Sequence, residues 1–164
     1  MIKLDGILVH LPKELKLLIG IFCVVLSIGF YSGITFVNET SGTNPKGIEE
    51  NYLGNEEDEE ADVMKFKKSE KEMLSIIHSH TITMSLMFLI VGFLVYLTKI
   101  PKGIKMFLII EPFASILLTF GGIYFLWKGH LFMKYIVIFS GVLMTITYTI
   151  SMLTIVFQLL KTKK

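Results

Sequence analysis

The chain has 164 residues, 52% of them apolar and 18% charged, and its 16 basic residues are all Lys. With Cys23 as the one cysteine, an intrachain disulfide framework is excluded. The absence of Arg argues against a site that recognises phosphate or nucleic acid through planar bidentate contacts, and nucleic acid is not an expected partner.

In chain order, Ile2, Leu4, Ile7, Leu8 and Leu11 outline a short interfacial amphipathic segment ending at Pro12. Residues 17–37 follow without a charged side chain. This stretch is long for the apolar part of a signal peptide and no A-x-A-like site follows it, so it reads as an uncleaved span. Asn38-Glu39-Thr40 matches a glycosylation acceptor, a tripeptide that is common by chance. Residues 38–72 carry 11 acidic residues and 5 Lys. Within them, residues 41–47 are turn material, and Glu56-Glu57-Asp58-Glu59-Glu60 is a like-charge run expected to act as a solvated tether, without EF-hand spacing. Ser69-Glu70-Lys71-Glu72 reads as a capping box that starts the second helix near residue 70.

Three further apolar stretches complete the chain. Residues 73–98 hold only His78 and His80 as titratable groups apart from Tyr96, residues 106–127 hold the single carboxylate Glu111, and residues 135–160 hold no charge. A bilayer core of about 30 Å needs roughly 20 apolar residues of helix. Backbone groups in lipid must be satisfied within the segment. The expected fold is therefore all-α: one integral membrane domain over residues 1–164, an antiparallel four-helix bundle with an acidic loop between its first two spans. The lipid bilayer is its first partner.

Four spans put both termini and the 99–105 link on one side. Nine Lys lie there, against seven on the side of residues 38–72 and 128–134. The positive-inside rule then predicts cytoplasmic termini and an extracytoplasmic acidic loop. Residues 11–19 also echo residues 100–108, each opening a span with Pro-Lys, as two duplicated hairpins would.

Each span carries a stripe of small and polar residues: Gly20, Cys23, Ser27 and Tyr31; His78, Thr81, Ser85, Gly92 and Tyr96; Glu111, Ser115, Thr119 and Gly122; Ser140, Thr147, Ser151, Thr154 and Gln158. Such stripes are the expected inner faces of a bundle, because small residues admit close backbones and hydroxyls bond across helices. Glu111, the intramembrane acid, is a candidate proton or cation site, or a hydrogen-bonded acid that stabilises the helix entry before Pro112.

His78, His80 and His130 all fall near the same end of the bundle. His78 and His80 are roughly 200° apart on a helix, so they do not share a face. His78 and His130 suit the axial ligands of a haem b. His80 with Met84 or Met87 suits copper by ligand softness. The alternative is that no cofactor is bound and the histidines are interfacial hydrogen-bonding residues.

The segments Gly47-Ile48-Glu49-Glu50-Asn51-Tyr52-Leu53-Gly54-Asn55, Met64-Lys65-Phe66, Met73-Leu74, His78-Ser79-His80 and Glu111-Pro112-Phe113 resemble a family of small four-helix bacterial inner-membrane proteins. That resemblance implies a bacterial inner-membrane location, brings no activity with it, and suggests that the loop folds back to place Tyr52 near the histidines. With no soluble domain, nucleotide motif or nucleophile constellation, the expected function is non-enzymatic: an accessory or cofactor-holding subunit that meets membrane protein partners at an electron-transfer assembly. A haem- or metal-binding redox protein, or a small transporter relying on Glu111, is the alternative.

Overall fold

The structure is a computed structural model that describes residues 4–41, 44–58, 61 and 63–161. A 3-10 turn at Ile7–His10 leads into helices α1 (Lys13–Ser41), α2 (Pro45–Leu53), α3 (Glu70–Tyr96), α4 (Lys102–Trp127) and α5 (Met133–Leu160). Four of them, α1, α3, α4 and α5, are long and apolar enough to cross a membrane. This is an all-helical, multi-pass membrane fold. Each helix starts ahead of its expected apolar stretch, and α3 ends two residues short of residue 98; the 27 residues of α3 span about 40 Å, enough to carry both ends into the headgroups. Its start is the expected capping box: Ser69 N–H donates to Glu72 Oε2 at 2.7 Å, and Glu72 N–H donates to Ser69 Oγ at 3.3 Å.

Helix α4 is the centre, packed on α3 along one side and most closely on α5 along the other. It buries Leu108, Ile116, Phe120, Ile123 and Leu126. Two features set its approach to α5. Thr119 Oγ1 and Ser140 Oγ share a hydrogen bond of 2.7 Å across the helices. One turn further, Gly122 meets Val137 so closely that a Cβ there would lie 2.9 Å from Val137 Cγ2, whereas Gly121 has open space. Helix α1 is a flank. Only Cys23 and Ser41 are buried on it, and it leans on α5 through Phe30 stacked on Tyr148 at 3.8 Å, Ser27–Tyr148 at 3.2 Å and Tyr31–Thr149 at 2.8 Å. Its Leu17, Leu18, Val24, Val25 and Ile28 remain exposed, as a lipid-facing surface requires.

The end of the bundle carrying both termini is closed by the N-terminal segment. Residues 4–12 were expected on the membrane surface, but Leu8 is fully buried and Ile7 and Leu11 pack against the core; Ile2 lies outside the described residues. The reason is an anchor too distant in sequence to read. Lys105, 7% exposed, donates to the Asp5 carboxylate, to Tyr96 O at 3.0 Å and to Thr98 O at 2.6 Å. Gln158 clasps the adjoining link, accepting from Lys99 N–H at 2.8 Å and donating to Lys99 O at 3.2 Å.

The opposite end is capped by α2 and the segment after it. Residues 45–53, read as turn and loop from the sequence, form a helix: Asn44 Oδ1 accepts from Gly47 N–H at 2.7 Å, and Pro45 opens the first turn. Gly54 ends it at φ +83, where a Cβ would lie 2.7 Å from Lys67 N. Asn55 then straps the chain through Val63 O at 3.0 Å and Lys65 N–H at 2.6 Å. Trp127 Nε1 donates to Lys68 O at 2.8 Å, and Lys65 Nζ to Thr40 O at 3.0 Å. The acidic run is not wholly a free tether: Lys46 pairs with Asp58 at 3.1 Å and Glu50 at 3.5 Å, which raises the Lys46 pKa. Glu59 and Glu60 lie outside the described residues.

The two adjacent glycines of α4 give a matched test of this packing. Gly122→Leu is expected to destabilise the protein by about 1–3 kcal/mol through overpacking against Val137, while Gly121→Leu leaves it unchanged. Thermal melting of both variants in mild detergent distinguishes them; equal midpoints would mean that α4 does not present Gly122 to α5.

Candidate functional site

Polar side chains are concentrated along the α4–α5 seam. On α4, Glu111, Ser115, Thr119 and Gly122 are all buried; on α5, Ser140, Thr147, Ser151 and Gln158 are buried and Thr154 is half-buried. Both stripes occupy the faces expected of them. Their spacing of three, four and seven residues keeps each set on one side of its helix, and antiparallel packing brings the two sides together.

Most of the seam is satisfied. The Thr119–Ser140 bond closes its upper part, Ser140 also donates to Ile136 O at 2.8 Å, and Gln158 is used by the Lys99 backbone. The middle is different. Glu111 is 7% exposed, and Thr147 and Ser151 are each 1% exposed. Ser115 Oγ donates to Glu111 Oε1, but Glu111 Oε2, Thr147 Oγ1 and Ser151 Oγ have no hydrogen-bond partner. The register places the residues that carry these atoms within about one helical turn of one another in depth. Eight residues back along α4 and eight forward along α5 from the Thr119–Ser140 bond, about 12 Å further along the axis, Glu111 is level with Tyr148, with Thr147 and Ser151 on either side. Pro112 adds a fourth oxygen: without an N–H it offers no donor to the carbonyl of Leu108, one turn below. Leu108 itself is buried. A carboxylate oxygen and two hydroxyls without partners thus lie within about one helical turn of one another in depth along a buried seam, where each unmatched polar group is costly.

The histidines are placed differently. His78 is exposed, as is Tyr96 from the same expected stripe, while Thr81 and Ser85 are half-buried. The packed face of α3 is instead apolar: Met73, Ile77, Met84, Phe88, Val91 and Val95. Polarity marks the inner face poorly on this helix, because its apolar residues face protein on one side and lipid on the other. His80 is exposed as well, though its ring lies 5.3 Å from that of Phe120, and Met84 and Met87 pack against the core. His80 Nδ1 is 2.8 Å from Ile76 O. A carbonyl only accepts, so the nitrogen that donates here is Nδ1, and a neutral ring in this arrangement would present its lone pair at Nε2. His130 is exposed in the α4–α5 turn, its ring 5.9 Å from Phe125. Haem held between helices of one bundle uses two inward imidazoles; His78 and His130 both stand exposed. Among the described residues no three His, Cys, Asp or Glu gather as a metal-binding group. Tyr52 packs against the core at the α2 end, and burial raises its phenol pKa; its carbonyl accepts from Lys68 N–H at 3.2 Å.

Sequence reasoning singled out Glu111 but did not join it to Thr147 and Ser151. The signal was present in the stripes of α4 and α5; pairing them required the register that Thr119 and Ser140 set.

No curated protein and no solved structure matches the chain. A family match does, over residues 42–164. It begins directly after α1 and takes in α2, the three packed spans and the whole α4–α5 seam, leaving out the flanking helix that buries least. The chain belongs to the Aq_1264_TM family, described as a transmembrane helical domain.

Proposed function

We propose that the chain is a non-enzymatic membrane subunit that binds a small monovalent cation in the α4–α5 seam, with Glu111 as its charged ligand. The observation that carries this reading is the set of unpartnered oxygens, Glu111 Oε2, Thr147 Oγ1 and Ser151 Oγ. An all-oxygen set suits a hard cation rather than a soft metal. One carboxylate neutralises one positive charge, whereas a divalent ion would leave a net charge in a low-dielectric seam. Ser115 donates to the other carboxylate oxygen, which leaves Oε2 as the unpartnered acceptor. The released Leu108 carbonyl is the kind of backbone oxygen that intramembrane cation sites use. A proton competes for the same oxygen.

Carbodiimide labelling of the purified protein tests this. Glu111 is expected to be modified, and a cation at ten times its Kd to slow modification about tenfold, with sodium, potassium and choline chloride compared at equal ionic strength. Thr147→Val with Ser151→Ala is expected to abolish the protection and keep the labelling. Labelling that ignores every monovalent cation would overturn the reading.

The proposed setting is a bacterial cytoplasmic membrane with cytoplasmic termini, supported by the Lys bias toward that side. The accessory role is supported by the small size of the parts outside the spans: α2 and its strap are folded down onto the helix ends. An association with an electron-transfer assembly would have to come through such a partner.

A second reading is favoured by the His80 geometry. An imidazole whose Nδ1–H is fixed by a backbone carbonyl presents Nε2 as a ligand. Met84 and Met87, one and two turns further along α3, supply thioethers for Cu(I). If copper binds, His80→Ala and Met84→Leu are each expected to lower its stoichiometry by elemental analysis, while His78→Ala leaves it intact. Copper retained in the His80 variant would exclude this site.

A further inference from the structure

We propose that the end of the bundle carrying the termini holds a pocket for a phosphate-bearing anion, either the headgroup of an anionic phospholipid or a free phosphate. A cleft of about 350 Å³ opens there between the 3-10 turn and the end of α5, lined by Asp5, Gly6, His10, Lys99, Gln158 and Lys161. It is independent of the Glu111 seam.

The charge of this cleft is not balanced from within. Its one carboxylate, Asp5, is held by the buried Lys105, so it does not neutralise the rim. Among the described residues no carboxylate pairs with Lys99 or Lys161; the Lys161 ammonium rests 4.6 Å from the centre of the Phe157 ring. Lys16 adds a third cation beside them, donating to Lys161 O at 2.9 Å. That bond also covers a carbonyl at the negative end of α5, which would otherwise repel an anion. The same end presents Lys13, Lys16, Lys99, Lys102, Lys105 and Lys161 against Asp5 and Glu14 alone. At the α2 end, Lys46 and Lys134 meet Asp58, Glu50 and Glu49. In the cleft, Asp5 is taken by Lys105, so Lys99 and Lys161 line it together without an acid of their own among the described residues, which points to an anion supplied from outside the chain.

Depth and chemistry narrow the class. The cleft lies where α3 ends at Tyr96, α4 begins at Lys102 and α5 ends at Leu160, the level of the headgroups. Basic pockets between helices at this depth hold anionic lipid phosphates. Lys serves phosphate as a point charge, without the planar fork of Arg, so the missing Arg excludes bidentate recognition and not this site. Gln158, its amide spent on the Lys99 backbone, holds Lys99 in place and does not itself offer a ligand.

Native mass spectrometry of the full chain in mild detergent tests the pocket, with dioleoyl phosphatidylglycerol, dioleoyl phosphatidylcholine and inorganic phosphate as the probes. Phosphatidylglycerol is expected to bind the native chain more tightly than phosphatidylcholine. The double variant Lys99→Gln, Lys161→Gln is expected to bind it about 30-fold more weakly, while Lys99→Arg with Lys161→Arg retains binding and shows that charge, and not fold, was lost. Displacement of the lipid by millimolar inorganic phosphate identifies free phosphate as a ligand of the pocket; lipid retained against phosphate identifies the headgroup. Equal binding of phosphatidylglycerol to the native and Gln forms, or equal binding of the two lipids to the native chain, would overturn the proposal.

Discussion

The contact between α4 and α5 is the interaction on which the rest depends. In lipid there is no gain from hiding apolar surface, so helices associate where backbones come close and polar groups pair. Gly122 against Val137 supplies the close approach, and Thr119 with Ser140 supplies the pairing. That contact fixes the register of the two helices, and the register decides what faces Glu111. With Thr119 opposite Ser140, the acid is brought level with two hydroxyls and below a proline that withholds a donor. A shift of one turn would place the carboxylate against other side chains and leave no common level for the unmatched oxygens.

Around this seam the two ends of the bundle are built on different chemistry. The α2 end is acidic and self-neutralising: a short helix, a strap anchored by Asn55 and lysine–carboxylate pairs fold over the helix ends. At the other end a buried lysine holds the N-terminal turn in place, and among the described residues no carboxylate pairs with Lys99 or Lys161 in the cleft beside it. Helix α1 joins α5 chiefly through aromatic and hydroxyl contacts of Ser27, Phe30 and Tyr31, and most of its apolar side chains stay exposed. The family match over residues 42–164 takes in the three spans that pack most closely and the seam between α4 and α5.

What the residues made legible follows from what lipid and helix geometry demand. The spans stood out because about 20 uncharged residues in a row have few other uses. The start of α3 stood out because Ser69 and Glu72 satisfy one another's backbone locally. The stripes of α4 and α5 were readable because their polar residues have no water to face. The stripe of α3 was not: His78 and Tyr96 near the two helix ends reach water or headgroups, so their polarity marks the surface there. Helix α2 was missed although Asn44 and Pro45 carry its start signal, since nine mostly polar residues beside an acidic run read as loop. The buried Leu8 was missed because the anchor is Lys105, 100 positions after Asp5, and a lysine at the edge of a span reads as a snorkelling one. Glu111 itself was evident as a lone acid; its partners depended on tertiary register.

The most direct measurement of the seam is an infrared difference spectrum of the protein in lipid, taken between sodium-containing and choline-containing buffers with Glu111 as the reporter. The account predicts a carboxyl or carboxylate band that changes with sodium, disappears in Glu111→Gln and shifts in Thr147→Val. A spectrum in which no Glu111 band responds to any monovalent cation would contradict it.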